Sequence, residues 1–169
     1  PSGSRYRQLR QALSDRVAVA ERDSESLFIL VVDDNPDDLF LIRRDLVALG
    51  HRVAGVSTAN EALDHIARAH PDVLMTDVGL PGMDGIELLQ TVRARTDGSW
   101  IPSLVFTGSL DEATQMRALE AGADAYLCKP ASREMLHAKL GVILRLKAMQ
   151  RQAEERNREL AHYRSLQEE

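Results

Sequence analysis

Short apolar runs alternate along the chain with longer stretches whose apolar residues recur at helical spacing. Leu27-Phe-Ile-Leu-Val-Val32 is a continuous apolar run of strand length, stopped by Asp33-Asp34-Asn35-Pro36. Asn35 followed by Pro36 predicts a helix cap with proline in the first turn. From there Leu39, Leu41, Ile42, Leu46 and Leu49 fall at helical spacing, and Gly50 closes the pattern. Residues 52–57 predict a second, weaker strand. Residues 60–69 predict a helix with Ala62, Leu63 and Ile66 on one face, broken by Pro71. A third strand follows over 73–77, a helix over 86–94, a fourth strand over 103–107 and a helix over 111–121 with an acidic first turn. Residues 125–128 predict a fifth strand, and a long helix begins near Ser132.

Strands that alternate with helices connect through right-handed crossovers into a parallel sheet covered on both faces. The unbroken apolar strands agree, because a strand buried on both sides need not alternate. Functional groups in such sheets collect at the carboxyl ends of the strands. Asp33 and Asp34 end the first strand, Asp77 the third and Thr107 the fourth, while Lys129 follows the fifth. Three carboxylates, a hydroxyl and an amine are therefore expected on one edge.

Residues 27–148 account for this unit. Residues 1–26 are polar, with a rough helical pattern at Tyr6, Leu9, Leu13 and Val17, and are read as an extension that is helical in part. Over 149–169 the last helix is expected to run on with no core to cover. Val142, Leu146, Met149, Ala153, Leu160 and Tyr163 follow a 4-3 spacing, interrupted by Lys139 and Arg156. That seam predicts a coiled coil through which two copies pair, leading towards an output domain.

Composition narrows the classes of function. Of 169 residues 44% are hydrophobic, enough for a core, and the net charge of −5 with no basic stripe argues against direct nucleic-acid contact. A single cysteine, Cys128, excludes an internal disulfide and fits a reducing cytoplasm. No apolar run approaches the roughly 20 residues of a membrane span, and Pro1-Ser-Gly-Ser4 does not resemble a signal peptide. A cytoplasmic location is the expectation.

Clustered carboxylates repel one another unless a cation neutralises them. With oxygen ligands alone the fitting ion is magnesium. A carboxylate is also a nucleophile towards phosphorus, and phosphoryl transfer needs little beyond alignment and neutralised oxygen charge. Lys129 suits a point-charge contact to phosphate, and the Thr107 hydroxyl a hydrogen bond to a phosphoryl oxygen.

These residues carry a resemblance. Val31-Val-Asp33-Asp34-Asn35, Met-Thr-Asp77-Val-Gly79-Leu-Pro81-Gly-Met-Asp84-Gly85, Phe-Thr107-Gly108 and Cys-Lys129-Pro130 together resemble the receiver domain of two-component response regulators. The resemblance covers about residues 27–148. It implies a flavodoxin-like, doubly wound sheet in strand order 2-1-3-4-5 with five helices. It implies that Asp77 is the phosphoacceptor, that Asp34 binds magnesium directly, and that Asp33 holds the ion mainly through water. The Gly79 backbone carbonyl would complete the protein ligands. Lys129 would pair with the phosphoryl group ahead of a cis bond to Pro130, with Thr107 as switch hydroxyl and Tyr126 as switch aromatic. A histidine kinase or phosphotransfer protein would supply the phosphoryl group. Gly79 and Gly108 are small where larger side chains would shield the site, so Asp77 is expected to be open to water and small phosphodonors.

Plainer readings remain for other residues. Asp84-Gly85 reads as turn chemistry, Cys128 as a small buried strand residue, and His51, His65, His70, His137 and His162 as surface residues without ligand spacing. A phosphotransferase with an aspartyl intermediate would need a substrate pocket and a second acid or base. A docking module would lack the acceptor, the acid pair or the lysine. A dinucleotide-binding unit would carry a glycine-rich turn after the first strand, and Asp33-Asp34-Asn35-Pro36 stands there instead.

Overall fold

The computed structural model describes residues 26–95, 100–108 and 111–167. The predicted helical pattern at Tyr6, Leu9, Leu13 and Val17 lies outside them. The apolar runs become strands β1 (Phe28–Val32), β2 (Arg52–Val56), β3 (Val73–Thr76), β4 (Ser103–Thr107) and β5 (Ala125–Cys128). They pair in parallel in the order β2-β1-β3-β4-β5, the flavodoxin-like arrangement. Every residue of β3 and β4 is buried, which is why those sequences do not alternate.

Between the strands run α1 (Pro36–Ala48), α2 (Ala59–Arg68), α3 (Gly85–Arg93), α4 (Glu112–Glu120) and α5 (Arg133–Gln167). The pleat sends alternate strand residues to opposite faces. Ile29, Val31, Val73, Met75, Leu104 and Phe106 pack with Ile42 and Leu46 of α1 and with Leu136, Leu140 and Ile143 of α5. Leu30, Val32, Leu74 and Val105 pack on the other face with Ala62 and Ile66 of α2, Leu88 and Leu89 of α3 and Ala118 of α4. The chain leaves β1 outward to β2 and returns to β3, so the strand order reverses between β1 and β3. Such a reversal opens a crevice at the carboxyl ends of the two strands.

Local chemistry fixes the helix starts. The Asn35 side chain accepts from the N–H groups of Asp37 and Asp38, with Pro36 in the first turn. Thr58 caps α2, so the helix begins just before the predicted residue 60. Asp84 and Glu87 form a reciprocal capping box at α3, which gives Asp84 a sharper role than a plain turn. Gly85 has a different reason to be glycine. A Cβ there would lie 1.8 Å from the Asp77 carbonyl oxygen, so only glycine lets α3 start against the loop carrying Asp77.

Some expectations change. Leu41 is 46% exposed, one step off the buried stripe of Ile42 and Leu46. His51 is buried, not superficial, because its Nδ1 accepts a hydrogen bond from the Leu27 N–H at 3.2 Å. His65 is half-buried, its ring 5.9 Å from that of Phe28, and its Nδ1 is buried without a hydrogen-bond partner. Cys128 is half-buried, with its thiol donating to the Lys129 carbonyl. The α5 helix covers the sheet through Ile143, and residues 151–167 are all exposed. Met149, Leu160 and Tyr163 of the heptad pattern are exposed by 57% or more. No helix among the described residues is long and apolar enough to cross a membrane.

Candidate functional site

Asp33 follows β1 directly, and its N–H donates to the Val56 carbonyl of β2. The third strand ends at Thr76, one residue short of the predicted end, so Asp77 opens the loop instead of closing the strand. Its backbone is still tied to β1, with the Asp77 N–H donating to the Val32 carbonyl at 2.9 Å. The reversal of strand order thus sets the two acids side by side, and Asp34 joins them. Carboxylate oxygens of Asp33, Asp34 and Asp77 lie within 4.8 Å of one another. Asp33 is buried, Asp77 half-buried and Asp34 exposed.

Lys129 enters from the β5 side. Its N–H donates to the Thr107 carbonyl at 2.9 Å, and the peptide bond to Pro130 is cis, as the resemblance implied. Its ammonium makes its shortest contact with Asp33 Oδ2, then reaches Asp38 Oδ2 at 3.0 Å and Asp77 Oδ2 at 3.3 Å. It also lies 5.4 Å from the centre of the Phe106 ring. Asp38 escaped the sequence reading. Its signal was an extra acid in the first turn of the helix that starts at this edge, easily taken for ordinary pairing with the helix dipole.

Burial dominates at Asp33 and raises its pKa, even though the Lys129 ammonium and the Asn35 N–H favour the charged form. Burial alone would lower the pKa of Lys129, but Asp33, Asp38 and Asp77 outweigh it and raise the value. Asp33, Asp38 and Asp77 face this one ammonium and Asp34 adds its charge beside Asp33 and Asp77, so negative charge is in excess. Three close carboxylates with no imidazole or thiolate among them suit a hard divalent cation such as magnesium. The free oxygens of the cluster are few. Asp33 Oδ1 accepts from the Asn35 N–H at 3.0 Å, and Asp77 Oδ1 from the Val78 N–H at 2.8 Å.

Thr107 is buried at the end of β4, just beyond Val105, which lies opposite Thr76. Tyr126 of β5 is paired with Val105 and half-buried against the α2–α4 side of the core. Burial first, then Cys128 and Asp111, raise its phenol pKa. Gly79 and Gly108 are exposed, and a Cβ at either would meet nothing within 4 Å. A cavity of about 400 Å³ adjoins the ammonium, between α1 and the turn after β5, with Leu41, Phe106, Gly108 and Pro130 in its wall.

The response regulator receiver domain profile matches residues 29–141. The chain is 36% identical over 119 residues to the transcriptional regulatory protein KdpE of Mycobacterium tuberculosis, covering 69% of this chain and 50% of KdpE. It therefore spans about half the length of such relatives. A response regulator structure from Chloroflexus aurantiacus superposes with a TM-score of 0.68 at 32% identity, over 71% of this chain and 98% of that one. The receiver domain of the sensor histidine kinase PA1611 from Pseudomonas aeruginosa, which has a magnesium ion coordinated in its active site cleft, superposes with a TM-score of 0.63. Its identity is 30%, over 71% of this chain and 96% of that one. An acid cluster and a lysine at the strand-order reversal of a 2-1-3-4-5 sheet, with a family profile over most of the chain, place it among the response regulator receiver domains of two-component signalling.

Proposed function

We propose that residues 27–148 accept a phosphoryl group on Asp77 from a sensor histidine kinase or a phosphotransfer protein, in the cytoplasm. The phosphorylated state then controls an output through α5. The observation that carries this reading is the Lys129 ammonium lodged between Asp33, Asp38 and Asp77 within a three-carboxylate cluster. An Asp77 oxygen attacks phosphorus in line, forming the acyl phosphate as the bond from phosphorus to the donor nitrogen breaks. Asp33, Asp34, Asp77 and the Gly79 carbonyl would hold magnesium, which supplies counter-charge for the phosphoryl oxygens when bound. Lys129, already 3.3 Å from Asp77 Oδ2, donates to the oxygens that arrive there. Thr107 donates its hydroxyl to the phosphoryl group, and Tyr126 turns inward behind it. The protein is a regulator, with phosphorylation and dephosphorylation of Asp77 as its only chemistry. The exposed seam of α5 pairs two copies, and this piece makes no direct contact with nucleic acid.

Intact-mass measurement after incubation with acetyl phosphate and magnesium tests the reading. One phosphoryl group should add to the wild type and none to Asp77→Asn. No gain with acetyl phosphate or with a histidine kinase would leave a docking module in its place.

A further inference from the structure

Two of the three acids that hold Lys129 belong to the metal-competent cluster, and the third does not. Asp33 and Asp77 are members, whereas Asp38 stands apart in the first turn of α1. On Asp33 and Asp77, one oxygen is already taken by a backbone N–H and Lys129 sits on the other. A divalent cation and the ammonium therefore compete for the same two oxygens. Asp38 does not share in that competition, and its Oδ2 lies 3.0 Å from Nζ. An ammonium has three N–H donors, matching the three acids it meets here.

We propose that Asp38 is a positioning residue. Its carboxylate is the seat that keeps the Lys129 ammonium at the mouth of the site once a cation takes Asp33 and Asp77. This rests on the phosphoacceptor reading above. Anchored at Asp38, the ammonium keeps its remaining donors at the mouth of the site, where the oxygens of an arriving phosphoryl group would accept them. Without Asp38, the flexible lysine stem falls back on Asp33 and contests the cation.

The sign of the effect separates positioning from bulk charge. A carboxylate that only adds negative field repels an incoming anion, so removing it would tighten anion binding. A carboxylate that seats the lysine does the reverse. At saturating magnesium, Asp38→Asn should weaken binding of beryllium trifluoride about tenfold, the loss of roughly one charge-assisted hydrogen bond, and Asp38→Glu should restore most of it. Equal or tighter binding by Asp38→Asn overturns the proposal. A second measurement needs no anion. Without metal, Asp38→Asn should lower the melting temperature in the wild-type background and leave it unchanged or raised in Lys129→Met. Additive shifts overturn the seat. If the wild type binds no beryllium trifluoride, the phosphoacceptor reading fails, and the thermal cycle still judges the contact between Asp38 and Lys129.

Discussion

Replacing Asp77 with asparagine should make the metal-free protein more stable, although it removes the proposed acceptor. Asparagine keeps the volume and an Oδ1 that accepts from the Val78 N–H, now bonded at 2.8 Å. What changes is charge. Asp77 has two acidic neighbours, Asp33 and Asp34, with oxygens within 4.8 Å. At an effective dielectric of about 20, each such pair repels by about 3.5 kcal/mol. Against this stands one attraction, to Lys129 at 3.3 Å, worth about 5 kcal/mol on the same scale. The two repulsions exceed it by about 2 kcal/mol, and water around the exposed Asp34 trims the difference towards about 1 kcal/mol. Lys129 keeps Asp33 and Asp38 as partners in the variant. Calorimetry in a chelator should therefore show Asp77→Asn melting roughly 4 °C above the wild type, at about 4 °C per kcal/mol for a domain of this size. Added magnesium should raise the wild type more than the variant and close the gap, since it binds the folded acid cluster. A variant that melts below the wild type in chelator would refute the reasoning. It would mean that the single ammonium already balances the acids and that no cation is called for.

Four further outcomes follow from other parts of the molecule. Gly79→Leu should lengthen the life of the phosphoryl group on Asp77 several-fold in a mass-spectrometric decay course, because a side chain at this open position shields the acyl phosphate from water; an unchanged or shorter lifetime would show that access does not limit hydrolysis. Burial, and then the charge of His137, holds the His51 pKa below its ordinary 6.5, so the unfolded chain takes up a proton there that the fold resists. Stability is then complete above about pH 6.5 and falls as pH drops towards the depressed folded value, at up to about 1.4 kcal/mol per pH unit; urea midpoints between about pH 7.5 and 5.5 should flatten in His51→Asn. Ending the chain after Ala148 removes residues of which 151–167 are wholly exposed, so the melting temperature should move by only about 2 °C, while light scattering should show that the pairing proposed for α5 is lost. Ile143→Ala, by contrast, should cost about 2–5 kcal/mol, because that side chain is fully buried.

The sheet and its site were legible in the sequence because both rest on short-range rules. Apolar runs bounded by Asn35-Pro36, Gly50 and Pro71 delimit the elements, and the carboxyl-end rule assigns their last residues to one edge. That logic places Asp33, Asp77, Thr107 and Lys129 without any distance being known. What escaped depends on contacts between segments far apart in sequence. The role of Asp38 needs Lys129, 91 residues away. The glycine at 85 needs the path of the backbone past the Asp77 carbonyl. The burial of His51 needs the Leu27 N–H as a donor, 24 residues earlier. A residue whose purpose is a long-range contact looks in sequence like its bland default: an acidic helix turn, a turn glycine, a surface histidine.

The arrangement of ion pairs also says how a change at Asp77 would reach α5. Asp38 lies at the start of α1, on Lys129. Further along the same helix Asp45 is buried and paired at 3.1 Å with Arg133, the first residue of α5. Burial works against the Asp45 charge, but Arg133 and Arg44 outweigh it and hold its pKa below the usual carboxylate range. At the opposite end of the sheet Lys147 of α5 meets Asp72 at 3.2 Å, just before β3. The helix is thus fixed to the body at residues 133 and 147, about 21 Å apart at 1.5 Å per residue. Beyond Lys147 another 30 Å or so runs to Gln167. A helix held this way acts as a lever with its pivot near Lys147. A displacement of about 1 Å at Arg133 would swing the Gln167 end by about 1.4 Å the other way, by the ratio of the two arms. The first link in that route is the one between Lys129 and Asp38. Removing it should therefore disconnect α5 from Asp77 even where phosphorylation itself survives.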